Sequence, residues 1–222
     1  MIMKWIIDVF KYALIDLKLQ RGVKKRYYTD AQFSRLDHSL INTYIFKNPY
    51  QISKRYLRRK QEEDIHTYGE TPLVTYEVIA KEAEISSTDA FLELGCGRGR
   101  GALFLHHFFH CEVIGIERIP LFVRLAKHIT QKHHLKDVSF ICGDMTEMKL
   151  PKASVVYLYG TCLEDGEIEP IVWELKTFSN GTRIITISYP LTDYDEEAFQ
   201  ITKTFPVSFP WGETEAYLQV LK

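Results

Sequence analysis

The chain has few cysteines, and their spacing is uninformative. Cys96, Cys111, Cys142 and Cys162 form no Cys-x-x-Cys pair and no disulfide-scaffold pattern, which argues against a small cross-linked secreted fold and points to a reducing cytosol. His106, His107, His110 and Cys111 lie close together but lack the four-ligand spacing of a structural zinc, so no metal is expected. Even in the apolar opening, Met1 to Leu19, charges recur every few residues, so the segment cannot span a bilayer. It also lacks a long apolar core and a small-residue cleavage site, which argues against a secretory signal. Residues 27–67 hold no repeat and no low-complexity tract. No His/Asp or Ser/His catalytic pair stands out anywhere.

What is present fits one α/β domain with an appendage. The 222 residues are 45% apolar and 26% charged, ordinary for a globular protein and too few for two full domains. Residues 1–67 carry 14 Lys/Arg against 7 Asp/Glu (net +7), and the rest carries 14 against 22 (net −8). The reading is a basic helical extension at 1–67 ahead of a domain at 68–222. Such asymmetry suits an acidic partner, whether phosphate backbone, membrane surface or protein, or docking on the chain's own acidic face. Met1 to Leu19 reads as an amphipathic helix, with Lys4, Asp8, Lys11 and Lys18 opposite Trp5, Val9, Phe10, Leu14 and Leu17. Its apolar stripe should pack on the chain's own domain, on a second subunit, or, with Arg21, Lys24, Lys25 and Arg26, on an anionic membrane surface. Ile52 to Gln61 should be helical, with Lys54, Arg55, Arg58, Arg59 and Lys60 on a solvated face. Interleaved Tyr50 and Tyr56 leave a nucleic-acid contact open. The expected location is the cytoplasm, peripheral to a membrane if the first helix binds one.

The most informative stretch is Phe91-Leu92-Glu93-Leu94-Gly95-Cys96-Gly97-Arg98-Gly99: an apolar strand with one acid, a glycine turn, then a helix from Arg100. A helix N-terminus offers unpaired N–H groups to a nucleotide-like ligand. The dinucleotide fingerprint needs glycine at its sixth position. Arg100 stands there, so that pattern fails. Glu93, two residues before Gly95, suits a ligand with a cationic amino-acid end. S-adenosylmethionine has that end and no phosphate. A second strand, Val113 to Ile116, ends in Glu117, which can accept both ribose hydroxyl protons. A third, Val138 to Ile141, runs into Gly143-Asp144-Met145, where Asp144 can accept from an adenine amino group and Met145 can cover the ring. Successive strand ends of an open α/β sheet line one crevice.

Beyond Thr71, a plausible N-cap, Pro72 to Ala83 should be helical. Strand 90–94, helix 100–110, strand 113–117, helix 120–134, strand 138–142, strand 154–159, helix 167–178 and strand 182–188 follow. This alternation implies a doubly wound, mostly parallel sheet covered on both faces. Ala198 to Val207 and Glu213 to Leu221 read as two strands around Pro210-Trp211-Gly212.

Residues 68–222 resemble the class I S-adenosylmethionine-dependent methyltransferases. Within that class the chain looks like the disruptor-of-telomeric-silencing type and the small archaeal protein lysine methyltransferases. Tyr68-Gly69-Glu70-Thr71 matches the family's cofactor-covering loop. Gly181-Thr182-Arg183-Ile184-Ile185 is similar to its fifth strand, and Trp211 with Tyr217-Leu218 resembles its closing hairpin. The resemblance implies a Rossmann-like seven-stranded sheet with a C-terminal antiparallel hairpin. It further implies cofactor contacts at Tyr68, Glu70, Thr71 and Tyr159 beside Glu93, Gly95, Gly97, Gly99, Glu117, Asp144 and Met145. Tyr68, Tyr159, Trp211 and Tyr217 would wall a lysine channel. The chain departs from the histone enzymes at Tyr159-Gly160, where they carry an asparagine pair, at Ala216, where they carry an aromatic, and in having no basic extension after Lys222.

Methyl transfer from a sulfonium is an in-line displacement by an uncharged lone pair, and orientation can supply much of its rate. A lysine must first lose a proton, and a dry aromatic channel lowers its pKa by desolvation. An Asn/Asp-Pro-Pro-aromatic motif would suit adenine or glutamine; Tyr157-Leu158-Tyr159-Gly160-Thr161 stands in its place. The leading expectation is a protein substrate methylated on lysine. The alternatives are an RNA or small-molecule methyltransferase, and a non-catalytic S-adenosylmethionine-binding or membrane-surface protein.

Overall fold

The computed structural model describes residues 20–65 and 68–222. The expected helix at Met1 to Leu19 lies outside the described residues. Helix runs through residues 20–27 and is followed by α1 (Ala31–Thr43) and α2 (Pro49–Lys60). Local chemistry sets their starts. The Asp30 side chain accepts from the Gln32 and Phe33 N–H groups at 2.8 Å each. Asn48 caps α2 and Pro49 occupies its first turn, where the missing N–H costs nothing.

The remaining helices are α3 (Leu73–Glu82), α4 (Arg100–Phe109), α5 (Pro120–Lys132) and α6 (Asp165–Leu175). They alternate with β1 (Ala90–Leu94), β2 (Glu112–Glu117), β3 (Val138–Cys142), β4 (Val155–Leu158) and β5 (Arg183–Ile187). β6 (Phe199–Phe209) and β7 (Gly212–Leu221) close the chain as a hairpin. The seven strands lie in the order β3-β2-β1-β4-β5-β7-β6. The first five are parallel; β7 runs antiparallel to β5 and β6 antiparallel to β7. The architecture is the doubly wound, mostly parallel sheet expected from the strand–helix alternation, with the seven strands and the closing antiparallel hairpin that the resemblance implied.

Side-chain alternation divides the core. Phe91, Val155, Tyr157, Ile185 and Ile187 face a layer with Tyr76, Ala102, Phe104, Phe122 and Ala126 from α3, α4 and α5. Leu92, Leu94, Val156, Leu158 and Ile184 face Ile168, Ile171 and Leu175 of α6. The extension joins the first layer: Val23, Tyr27, Phe33, Leu36, Leu40 and Tyr44 are buried in it. Tyr27 and Phe33 both pack edge-on against Phe104, with centroids 5.0 and 5.7 Å away. Charge also holds it, in both senses: Arg26 pairs with Glu77, Asp30 with His107, Asp37 with Arg100 and Glu62 with Arg118.

One cap departs from expectation. Thr71 does not cap α3; Pro72 holds that position, with no side-chain cap bond. The Thr71 hydroxyl instead meets the buried Tyr157 hydroxyl at 2.7 Å, a group that would be costly to leave unpaired. Among the described residues no helix is long and apolar enough to cross a membrane.

Candidate functional site

The carboxyl ends of β1, β2 and β3 and the segment after β4 open on one cleft with its mouth in solvent. Gly95, Gly97, Glu117, Asp144, Met145, Tyr68 and Tyr159 all line it. The strand-end series therefore converges as parallel topology requires.

The glycine turn is used differently from expectation. Four of its N–H groups are already taken, that of Gly99 by the Cys96 carbonyl at 2.9 Å. Gly95 and Cys96 both donate to the Ile116 carbonyl at 2.9 Å, and Gly97 donates to Glu117 Oε2 at 2.9 Å. Ile119 N–H donates to Glu117 Oε1 at 2.8 Å. The turn thus orients an acid at the cleft. Burial pushes the Glu117 pKa up, and these backbone donors pull against it. Each oxygen keeps a further lone pair for a ligand hydroxyl. Gly99 caps α4 at φ +76°, and a Cβ there would come within 2.5 Å of the Phe140 ring. Only glycine fits such a position.

A second, smaller hollow adjoins the first. Glu70, Thr71, Glu93, Arg98 and Tyr76 line it together with the glycine turn. Glu93 is 3% exposed, and its Oε1 accepts from the Tyr76 hydroxyl. Its Oε2 is buried and has no partner. Desolvation, with smaller contributions from Glu117 and Glu70, raises its pKa to about 8 against the pull of Tyr76. Glu70 behaves oppositely: burial would raise its pKa, but the bonds from Arg98 and the Tyr68 hydroxyl lower it. Arg98 holds Glu70 through two nitrogens, Nη2 lying 2.7 Å from Oε2, and its guanidinium lies over the Tyr44 ring. An orphaned buried carboxylate oxygen beside an arginine with spare donors matches a zwitterionic amino-acid end. The donor set therefore fits S-adenosylmethionine.

Asp144 Oδ1 is occupied by the Thr146 N–H and hydroxyl at 3.0 and 2.8 Å, and Oδ2 faces Arg118 at 3.9 Å. One oxygen remains open to an amino donor. At the other end, Tyr159 stacks on Phe209 with centroids 4.7 Å apart, and Phe209 stacks on Trp211 at 5.3 Å. Trp211 Nε1–H donates to the Tyr159 hydroxyl at 2.7 Å. Phe209 and Trp211 line neither hollow themselves and join the site through Tyr159, whereas Tyr217 lines neither and its hydroxyl donates to Glu215. Alternation along β7 sends it to the face opposite Ala216 and Leu218.

Several site residues escaped the sequence reading. Ser53 and Leu57 of α2 wall the large cleft. Tyr76 and Tyr157 close the small hollow, and Phe209 carries the aromatic stack. Each reads as an ordinary core residue. Only Arg98, inside the glycine turn, offered a local signal.

A family model described as a methyltransferase domain matches residues 85–204. The sterol 24-C-methyltransferase of Saccharomyces cerevisiae is 28% identical over 123 residues, 53% of this chain and 32% of that protein. The protein-L-isoaspartate O-methyltransferase of Pyrococcus abyssi is 34% identical over 94 residues, 42% of each chain. The chain thus covers between 22% and 33% of the sterol relatives it matches. Among solved structures, an RNA methyltransferase from Salinibacter ruber in complex with S-adenosyl-L-homocysteine superposes with a TM-score of 0.57 at 22% identity, covering 69% of this chain and 94% of that one. MtNAS in complex with MTA and tNA superposes at 0.55 and 14% identity, over 91% of this chain and 80% of that one. At such identities the likeness is one of fold.

Proposed function

The chain belongs to the methyltransferase-domain family as a class I, S-adenosylmethionine-dependent enzyme, and from that premise we propose that it methylates the ε-amine of a protein lysine. The observation that carries this reading is the Tyr159–Phe209–Trp211 stack at the edge of the cofactor cleft. Stacked rings exclude water and attract an approaching ammonium by their π faces. The same desolvation favours the neutral amine once it is inside.

S-adenosylmethionine, when bound, supplies a sulfonium methyl open to in-line displacement. The chain's own residues bind and aim. Glu117 accepts from the ribose hydroxyls. Asp144 accepts from the adenine amino group, with Met145 covering the ring. Glu93 offers its free oxygen to the α-ammonium, while Arg98, held by Glu70 and Tyr68, frames the carboxylate end beside Thr71. Gly95, Gly97 and Gly99 let the backbone come close. Tyr159, with Tyr68 across the cleft, Phe209 and Trp211, orients the acceptor nitrogen. No dedicated base is needed: the amine leaves its proton to water on entering, and these residues would hold its lone pair in line with the cofactor's methyl group. The catalytic unit is residues 68–222, and α2 of the extension contributes Ser53 and Leu57 to its wall.

Incubating the protein with a cell extract and methyl-labelled cofactor tests the reading. Label should stay in protein after nuclease treatment and appear as methyl-lysine after acid hydrolysis. Label lost to nuclease, or extracted into organic solvent, would exclude a protein acceptor and favour RNA or a lipid.

A further inference from the structure

The segment between α1 and α2 carries an exposed apolar tip. Phe46 is 98% and Ile45 63% exposed. The chain then enters α2, whose two faces differ in kind. Ser53 and Leu57 are buried and line the cofactor cleft. Arg55, Arg58 and Arg59, which fall on one stripe by helical spacing, point the other way and are exposed. None of the three arginines forms an ion pair among the described residues. Some of the extension's other charges are spent on its own domain, at Arg26–Glu77 and Asp37–Arg100. This stripe is not.

We propose that Ile45, Phe46 and the Arg55–Arg58–Arg59 stripe dock the protein on an anionic bilayer surface. The two apolar side chains enter the headgroup boundary and the guanidinium groups pair with lipid phosphates. Shallow apolar insertion beside a basic cluster supplies two signals, apolar burial and attraction to anionic lipid, and stable peripheral anchoring takes two. The charge complementarity decides the occupant. A protein partner would require a wider apolar patch than two residues provide. Single-stranded nucleic acid would require successive stacking platforms, but the Tyr50 ring is already edge-on to Tyr68, with centroids 5.3 Å apart, and Ile45 offers no flat face. Docking here would set the cofactor cleft one helix away from the bilayer. The proposal does not depend on which nucleophile accepts the methyl group.

The test is flotation of the full chain with phosphatidylcholine vesicles with and without phosphatidylserine. We expect binding only to the anionic vesicles, weakening with salt. An I45S/F46S variant and an R55Q/R58Q/R59Q variant should each reduce it about tenfold or more. Both should titrate S-adenosylmethionine as the unchanged protein does, which shows that the fold is intact. No vesicle binding, or equal binding by both variants, would overturn the proposal. So would loss in these variants of affinity for an RNA oligomer without any vesicle binding.

Discussion

Arg100 and Asp37 meet end to end. Arg100 Nε and Nη2 donate to the two carboxylate oxygens of Asp37 at 2.8 and 2.6 Å, and the Tyr28 hydroxyl adds a third donor at 2.8 Å. Asp37 is 2% exposed. The residue that breaks the dinucleotide glycine pattern is thus the residue that ties α1 to the start of α4, one position beyond the glycine turn. The extension anchors the helix that follows the glycine turn.

Removing one partner of this pair leaves a nearly buried charge uncompensated. Asp37→Ala should cost about 3–5 kcal/mol of unfolding free energy, and Asp37→Asn less, since an amide still accepts one bond. Urea unfolding followed by fluorescence checks both. Equal stability of all three proteins would show that the pair contributes nothing to the fold.

Glu117 has two tasks, and its replacement should expose both. Glu117→Ala removes the acceptor for the Gly97 and Ile119 N–H groups as well as for the ribose. Cofactor binding should weaken by about 2–4 kcal/mol. Glu117→Gln should fall between, because one oxygen survives. Titration calorimetry reads the difference, and an unchanged Kd in the alanine variant would reject the ribose assignment.

Glu93 should make both stability and cofactor binding depend on pH. Its folded pKa, about 8, lies above its ordinary value of 4.5. The native state therefore holds this proton more tightly than the unfolded chain does. Its contribution to stability is complete below pH 4.5 and is lost as pH rises towards 8. Glu93→Gln should flatten the stability profile across that window. A cationic ligand group at Oε2 favours the ionised form, so cofactor binding at neutral pH should release a proton. Calorimetry in buffers of different ionisation enthalpy would detect it; a buffer-independent heat would remove Glu93 from the site.

The aromatic stack should govern turnover more than cofactor affinity. Phe209→Ala and Trp211→Ala each remove a ring from the wall, and misplacement of this order costs about a hundredfold in rate. Trp211→Phe keeps the stacking and loses only the bond to Tyr159, so it should retain most activity. Single-turnover rates measured beside cofactor Kd separate the two effects. A fall in affinity with an unchanged rate would place the stack on the cofactor instead.

Much of this was legible in the residue order. Glu93, Gly95, Glu117 and Asp144 sit at strand ends because short apolar runs end where a turn residue or charge appears, and parallel topology then gathers those ends in one crevice. Arg100 ruled out a dinucleotide from one position. Other features had no local signature. Thr71 has the residue type of a cap, yet a buried tyrosine 86 positions away claimed its hydroxyl. Tyr217 and Trp211 lie six positions apart on one hairpin, but strand alternation sends Tyr217 to the far face while Trp211 reaches Tyr159.

The sequence by itself determined the strand–helix order, the glycine turn and the acids that make the cleft suit S-adenosylmethionine, because periodicity, turn chemistry and strand-end charges are local properties. Only the tertiary structure decided that the basic extension packs into the same core, that α2 walls the cofactor cleft, and that Phe209 joins Tyr159 to Trp211. Those relations join residues distant in the chain, where contact is set by which faces must leave water together and which buried polar atoms must find partners.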